Sequence, residues 1–203
     1  MAKILVFGDS IAWGAFDNER GGWVERLKTF FLQNHKEKGM EVYNFAVSSD
    51  DTRGILEFLE TDIKKIDKIE QDDYILLFSI GSNDSRYINE KNNLFVPQEE
   101  FEKNLQKIIN IAKKHSKKIF FTGLLRVDDN LTQPWDKNEF WENKIIKDYN
   151  DIIEIVCKSR QISFIPLFNL INETELSDGL HPNAKAHEKI FNHIKGYLLN
   201  YFY

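Results

Sequence analysis

Five short apolar runs recur along the chain, and each is followed by a segment with helical periodicity. The runs cover residues 4–7, 42–45, 74–79, 119–122 and 162–165, and the third run reads YILLFS. Continuous apolar runs of this length are typical of strands that are buried on both faces of a parallel sheet. The alternation therefore predicts an α/β fold built on a five-stranded parallel sheet with helices between the strands.

The helical segments carry apolar residues three and four positions apart, together with signals for where a helix starts. Trp23 begins the first apolar stripe, and we expect it to lie in the core. A second helix is expected from about Thr52, with Asp50 or Asp51 as its N-cap. Pro97 suits the first helical position of the third segment.

The chain shows no internal repeat and no linker composition, which predicts a single domain over residues 1–203. The net charge of -5 argues against a nucleic-acid partner, because such proteins present a basic face. The basic residues between 113 and 118 lie where a helix should end, and cations are favoured there.

No stretch approaches the length of a membrane span, and the first apolar run is too short for a signal peptide. The sequence therefore predicts a soluble, cytoplasmic protein without a membrane partner. The single cysteine, Cys157, allows no disulfide within the chain, and its place in a helical pattern predicts a small core residue.

Three polar motifs each follow a predicted strand. They are GDS at residues 8–10, GSND at residues 81–84 and DGLH at residues 178–181. The carboxyl ends of parallel strands meet at one edge of a sheet, where ligands bind in open α/β folds. Two long connections, at residues 82–96 and 123–143, lie at the same edge, and long connections in compact domains are often functional. We therefore expect the three motifs to form one site.

The residue types in these motifs match the needs of ester cleavage. Ser10 is a nucleophile once a base takes its proton, and His181 is the residue type that does so near neutral pH. Asp178 lies three positions before the histidine and can orient its ring from the same turn. The Asn83 amide and the backbone N–H of Ser10 are candidate donors to a developing oxyanion.

Each motif also has a plain structural interpretation. Gly-Asp-Ser and Asp-Gly are common in turns, the Asn83–Asp84 pair could cap a helix, and Pro182 could begin the last helix. Taken singly, the structural interpretation is the simpler one for each motif. Taken together, it requires three independent coincidences, each placed directly after a strand, and the joint functional interpretation is therefore favoured.

These three motifs, in this order and phase with the strands, resemble those of the SGNH hydrolases, also called GDSL-like lipases or acylhydrolases. The resemblance implies a three-layer α/β/α sandwich of flavodoxin-like topology. It implies metal-free and cofactor-free acyl hydrolysis through an acyl-enzyme, with Ser10, Asp178 and His181 as the triad. It also assigns Asn83, Ser10 and Ser49 to the oxyanion hole.

The motif after the second strand departs from the family pattern. Ser49 stands where the family often has a glycine whose N–H faces the oxyanion. Ser49 still has that N–H, but a left-handed backbone there would cost a non-glycine residue about 1–2 kcal/mol.

Large side chains near the expected cleft are candidates for substrate contact: Trp13, Trp135, Trp141 and Arg126. Aromatic residues often line ligand pockets, but they equally often fill the core beneath a long loop. Arg126 could bind an anionic group of the substrate or pair with Asp128 or Asp129.

The sequence thus predicts a serine esterase acting on a small or water-soluble ester, with no lid helix of the kind that favours lipid interfaces. Two alternatives stay open: a catalytically silent binding domain, which Ser49 would suit, and an acyltransferase that uses the same triad. A metal hydrolase is disfavoured because His181, His187 and His193 lie six residues apart, which is not ligand spacing on a helix. The sequence does not indicate an oligomeric state.

Overall fold

A computed structural model describes residues 2–34, 40–66, 73–91 and 93–202. In chain order its elements are β1 (Ala2–Gly8), α1 (Ser10–Trp13), α2 (Trp23–Asn34), β2 (Glu41–Asn44), α3 (Thr52–Ile66), β3 (Asp73–Ser79), β4 (Tyr87–Ile88), α4 (Gln98–His115), β5 (Lys118–Thr122), β6 (Glu139–Phe140), α5 (Asn143–Arg160), β7 (Ser163–Ile165) and α6 (Ala184–Phe202).

The main sheet has five parallel strands in the order β2-β1-β3-β5-β7. Strand β1 lies between β2 and β3 and is in register with both, so that Ile4 lies beside Val42 on one side and Ile75 on the other. This order places β2 and β3 on opposite sides of β1, so that the connection from β2 to β3 crosses over β1. The predicted α/β fold, with its five strands and flavodoxin-like order, is confirmed.

Helices cover both faces of this sheet, because successive side chains of each strand point to opposite sides. Leu5 and Phe7 of β1 pack with helices α3, α4 and α5. Ile4 and Val6 of the same strand pack with α2 and α6. The result is the expected three-layer sandwich with one apolar core on each face of the sheet.

The two long connections pair with each other in a small antiparallel sheet that the sequence did not predict. Tyr87 of β4 lies opposite Phe140 of β6, and Ile88 lies opposite Glu139. A strand of two residues carries too little periodicity to be recognised from sequence. The pairing fixes both connections above the carboxyl ends of the main strands.

Of the predicted helix starts, that of α3 is confirmed, while the two proline positions are corrected. The carboxylate of Asp51 accepts the backbone N–H groups of Arg53 and Gly54 and thus caps α3. Pro97 precedes α4 as its N-cap instead of occupying the first helical position. Pro182 likewise lies outside α6, which begins at Ala184, so that interpretation of Pro182 is corrected. None of the described helices is long and apolar enough to cross a membrane.

Candidate active site

The GDS motif forms a tight turn from β1 into the one-turn helix α1. Gly8 is required there by space, because a Cβ on it would lie 2.4 Å from the carbonyl oxygen of Ser79 and 2.7 Å from the Cβ of Ala12. The Asp9 carboxylate accepts the N–H of Ile11 at 2.9 Å and caps α1. Ser10 therefore sits at the first position of this helix, at the carboxyl end of the sheet.

The DGLH motif is a turn held by its own aspartate. Oδ1 of Asp178 accepts the backbone N–H groups of Leu180 at 3.0 Å and His181 at 2.7 Å. Gly179, directly after the aspartate, has φ +87, a left-handed value that favours glycine. The turn directs the side chains of Asp178 and His181 toward each other.

The structure brings Ser10, His181 and Asp178 together in one chain of hydrogen bonds. Oγ of Ser10 lies 2.9 Å from Nε2 of His181. Nδ1 of His181 lies 2.8 Å from Oδ2 of Asp178. Both distances lie in the range in which a histidine can take a proton from a serine while a carboxylate orients its ring.

The Asp178 carboxyl is held in its ionised form. Partial burial acts to raise its pKa, but hydrogen bonds from the side chain and backbone of His181 outweigh that effect and lower the pKa to about 2. A carboxylate that stays charged at neutral pH stabilises a positively charged imidazole beside it.

The predicted oxyanion donors lie on three loops that are bonded to one another. Nδ2 of Asn83 donates to the carbonyl oxygen of Asp50 at 2.9 Å, next to Ser49 in sequence. The loop is tied to the nucleophile turn, because the N–H of Val47 donates to the carbonyl oxygen of Gly8 at 2.9 Å. Nδ2 of Asn83 keeps a second hydrogen for an oxyanion.

Ser49 adopts φ +67, the left-handed conformation that the family's glycine would accept without strain. The side chain of Ser49 is exposed. Serine therefore adopts, at this position, the left-handed conformation that a glycine would adopt without strain, and it keeps the backbone N–H.

Three carboxyls of these loops have raised pKa values; Asp9 and Asp84 are buried and Asp50 is half-buried. Burial raises the pKa of Asp9 to about 6, although the N–H of Ile11 and the nearby imidazole of His181 oppose it. Burial likewise raises the pKa of Asp84 to about 7, against hydrogen bonds from Thr52. Burial also raises the pKa of Asp50 to about 6.

The substrate-contact candidates separate into different places. Nε1 of Trp135 donates to Oδ2 of Asp178 at 3.2 Å, so this side chain lies at the site. Trp141 is buried, and its Nε1 donates to the carbonyl oxygen of Ser82 at 2.9 Å. Of the two interpretations left open for Trp141, the structure thus favours a core role over substrate contact. Trp13 lies on α1 with its side chain 56% exposed, and its contact with substrate stays a prediction.

Arg126 lies away from the triad. It lines a cavity of about 570 Å³ with residues 169–175 and Lys189, and neither Ser10 nor His181 borders this cavity. Arg126 forms no ion pair with Asp128 or Asp129; its guanidinium lies over the ring of Phe168, 5.9 Å from the centroid. The two carboxylates accept backbone N–H groups of Asn130 and Asn143. The pairing considered for Arg126 is therefore corrected.

Phe16 is a site residue that sequence reasoning missed. Its ring stacks on the imidazole of His181, with the ring centroids 5.2 Å apart and the planes 26° apart. Only the fold brings these two residues together, and no local pattern around Phe16 signals the contact. Its positive φ of 64 also has no marker in the sequence.

The described residues contain no group of His, Cys, Asp and Glu side chains that could hold a metal ion. His187 and His193 instead donate from Nε2 to the carbonyl oxygens of Ala15 and Pro166. These bonds give both histidines structural roles.

The sequence profile of the family described as GDSL-like Lipase/Acylhydrolase matches residues 4–194, which is nearly the whole chain. Two curated relatives match over most of their length. The uncharacterized protein YpmR of Bacillus subtilis (strain 168) is 27% identical, over 92% of this chain and 77% of that protein. The isoamyl acetate-hydrolyzing esterase 1 homolog of Homo sapiens is 24% identical, over 95% of this chain and 79% of that protein.

Solved structures share the fold. Axe2, an acetylxylan esterase from Geobacillus stearothermophilus, superposes with a TM-score of 0.73. The match covers 95% of this chain and 92% of that chain at 18% sequence identity. At this level of sequence identity, the similarity shows a shared fold only.

Proposed function

Because the chain belongs to the GDSL-like lipase/acylhydrolase family, we propose that it is a serine esterase that cleaves a small or water-soluble ester through an acyl-enzyme on Ser10. The observation that carries the proposal is the continuous hydrogen-bonded chain from Ser10 Oγ through His181 to Asp178. A serine hydroxyl becomes a competent nucleophile when an oriented base receives its proton.

In the proposed reaction, Oγ of Ser10 attacks the ester carbonyl carbon while Nε2 of His181 takes the hydroxyl proton. The oxyanion that forms is stabilised by Nδ2 of Asn83 and the backbone N–H groups of Ser10 and Ser49. His181 then gives its proton to the leaving alcohol, and the acyl group stays on Ser10. Water, activated by the same imidazole, hydrolyses the acyl-enzyme and returns the proton to Ser10.

The relatives favour a short acyl group. The curated human relative is named for the hydrolysis of isoamyl acetate, and the Axe2 structure is that of an acetylxylan esterase. Both names describe acetate esters, with very different alcohol groups. We therefore propose an acetyl or similarly short ester as the substrate class.

The test is release of p-nitrophenol from p-nitrophenyl acetate, butyrate and octanoate by the purified protein. We expect turnover to fall with acyl length and Ser10→Ala to lower it by roughly 10⁴-fold or more. Ser159→Ala is a matched control, because that hydroxyl is exposed on α5 and bonds only within its own helix. Equal rates for wild type and Ser10→Ala would refute the proposal.

A fluorophosphonate probe adds a readout that does not depend on the substrate chosen. An activated Ser10 should be labelled, and Ser10→Ala should not. An intact fold without labelling would indicate the silent binding domain.

Product analysis with an added alcohol separates hydrolysis from acyl transfer, since a transferase would form the new ester in place of the free acid.

A further inference from the structure

Two aromatic side chains from distant parts of the chain flank the imidazole of His181. The ring of Phe16, in the loop after α1, stacks on the imidazole with 5.2 Å between centroids. The ring of Trp135, in the long connection after β5, meets it at 63° with 5.9 Å between centroids. Phe16 and Trp135 are not members of the triad, and they interact with it in different ways.

Trp135 acts on the carboxylate that orients the imidazole. Oδ2 of Asp178 accepts both the Nε1–H of Trp135 at 3.2 Å and the Nδ1–H of His181 at 2.8 Å. Two donors thus share the one oxygen that faces the histidine, and each reduces the charge available to the other. Trp135 is itself held edge-on against the buried Trp141, with 5.4 Å between ring centroids.

Phe16 is held over the imidazole by the residues on either side of it. The carboxylate of Asp17 accepts backbone N–H groups from three residues of its own loop and the guanidinium of Arg26. The carbonyl oxygen of Ala15 accepts a hydrogen bond from His187 at 2.9 Å. These bonds impose the left-handed backbone of Phe16, which a free phenylalanine rarely adopts.

We infer that Phe16 and Trp135 are positioning residues that set the basicity of His181 in opposite directions. The face of the Phe16 ring stabilises the positively charged imidazole through its quadrupole. The indole N–H of Trp135 draws on the Asp178 oxygen and so weakens the stabilisation of the same charge. The inference rests on the proposed function, since the imidazole is the base of that reaction.

Other titratable groups act on His181 as well, and they are unchanged in the variants below. Asp178 lies in direct contact with the ring. The charges of Asp9, on the nucleophile turn, and of His187, on α6, also act on it. A comparison among variants that keep these three residues isolates the contribution of each aromatic side chain.

The test is the pH dependence of kcat/KM for Trp135→Phe and Phe16→Leu on p-nitrophenyl acetate. Trp135→Phe keeps a ring but removes the donor, so we expect the acid limb to move up by roughly 0.5 pH unit. Phe16→Leu keeps apolar volume but removes the π face, so the acid limb should move down by roughly 0.3–0.5 pH unit. Phe58→Leu, at an exposed phenylalanine on α3, is the control and should leave the acid limb unshifted.

NMR titration of the His181 ring protons, in the Ser10→Ala background, measures the same shifts without any substrate. Midpoints that move in opposite directions support the inference, because a general loss of packing would move both the same way or neither. Unchanged midpoints, or shifts of one sign in both variants, overturn it. An inactive wild type with opposite NMR shifts would instead count against the proposed function alone.

Discussion

Aspartates around Ser10 are held in different states by their surroundings, although their side chains are identical. Burial acts to raise the pKa of each, but only Asp178 receives enough hydrogen bonds to end near 2. Asp9 is almost fully buried, and the backbone N–H groups of Ile11 and Ala12 offset only part of that effect, so its pKa is raised to about 6. Depth of burial and the number of donors together decide which aspartate remains charged, since Asp84 accepts two groups of Thr52 but is fully buried, and its pKa is raised to about 7.

Ser49 is the one place where a single residue departs from the resemblance, and its backbone predicts a stability effect. Replacing Ser49 with glycine removes the left-handed strain at φ +67 and should raise the free energy of unfolding by about 0.5–1 kcal/mol, net of the entropy that glycine adds to the unfolded chain. Esterase activity should stay within about twofold, because the backbone N–H remains. Urea unfolding measures the first effect.

Ser48→Gly is the matched control for this substitution. Ser48 is also exposed, but it is not among the non-glycine residues with positive φ. Glycine at position 48 should therefore be neutral or destabilising. A Ser49→Gly variant that is no more stable than Ser48→Gly would contradict the strain argument.

At the scale of elements, Asp84 joins the loop after β3 to two helices. Its carboxylate accepts the backbone N–H and the hydroxyl of Thr52, at the start of α3. The hydroxyl of Thr52 in turn accepts from Nδ2 of Asn104 on α4, at 3.1 Å. The loop that carries Asn83 is thereby attached to the start of α3, next to the loop that carries Ser49. The attachment fixes the two proposed oxyanion donors relative to each other.

This bond network predicts a pH dependence of stability. Burial raises the pKa of Asp84 from an ordinary value of about 3.9 to about 7 in the folded protein. Because the pKa of Asp84 is raised on folding, the contribution of its carboxyl to the free energy of unfolding is fully present below about pH 4. That contribution is lost as pH rises toward 7. The free energy of unfolding of wild type, relative to Asp84→Asn, should therefore fall by roughly 1–4 kcal/mol between these limits.

Urea unfolding of both proteins at pH 4, 5, 6 and 7 measures that difference. Asparagine cannot titrate, but its amide oxygen still accepts a hydrogen bond from Thr52. The difference between the two proteins removes the contributions of groups that titrate equally in both. A difference that is flat with pH would show that Asp84 ionises normally in the folded state.

For the whole molecule, the alternation of apolar runs with helical periodicity identifies the five strands and the helices that cover them. The inner strands β1, β3 and β5 give the clearest runs, because they are buried on both faces, whereas the edge strands β2 and β7 are only partly buried. The order of the strands then brings residues 8–10, 81–84 and 178–181 to one edge of the sheet. Periodicity does not predict the contacts that side chains of the long connections make. Trp135 and Trp141 lie six residues apart in one loop, and only the packing separates the residue at the site from the residue in the core.

The same limit explains why Phe16 was not found from the sequence. Its contact with His181 depends on the loop held by Asp17 and on the position of the last helix, two features that lie far apart in the chain. Local spacing carries no information about such a contact.

The packing of the whole molecule predicts that the thiol of Cys157 reports global unfolding. Cys157 faces the core between α5 and the sheet, and burial raises the pKa of its thiol to about 12. A thiol-reactive disulfide reagent should therefore label the native protein at least about 10³-fold more slowly than the unfolded chain. The rate should rise with urea along the same slope as the global unfolding measured by circular dichroism, because only loss of the sheet–helix layer exposes the sulfur. A labelling rate that ignores urea would instead reveal local opening of α5, and Cys157→Ala, with no other cysteine in the chain, supplies the blank.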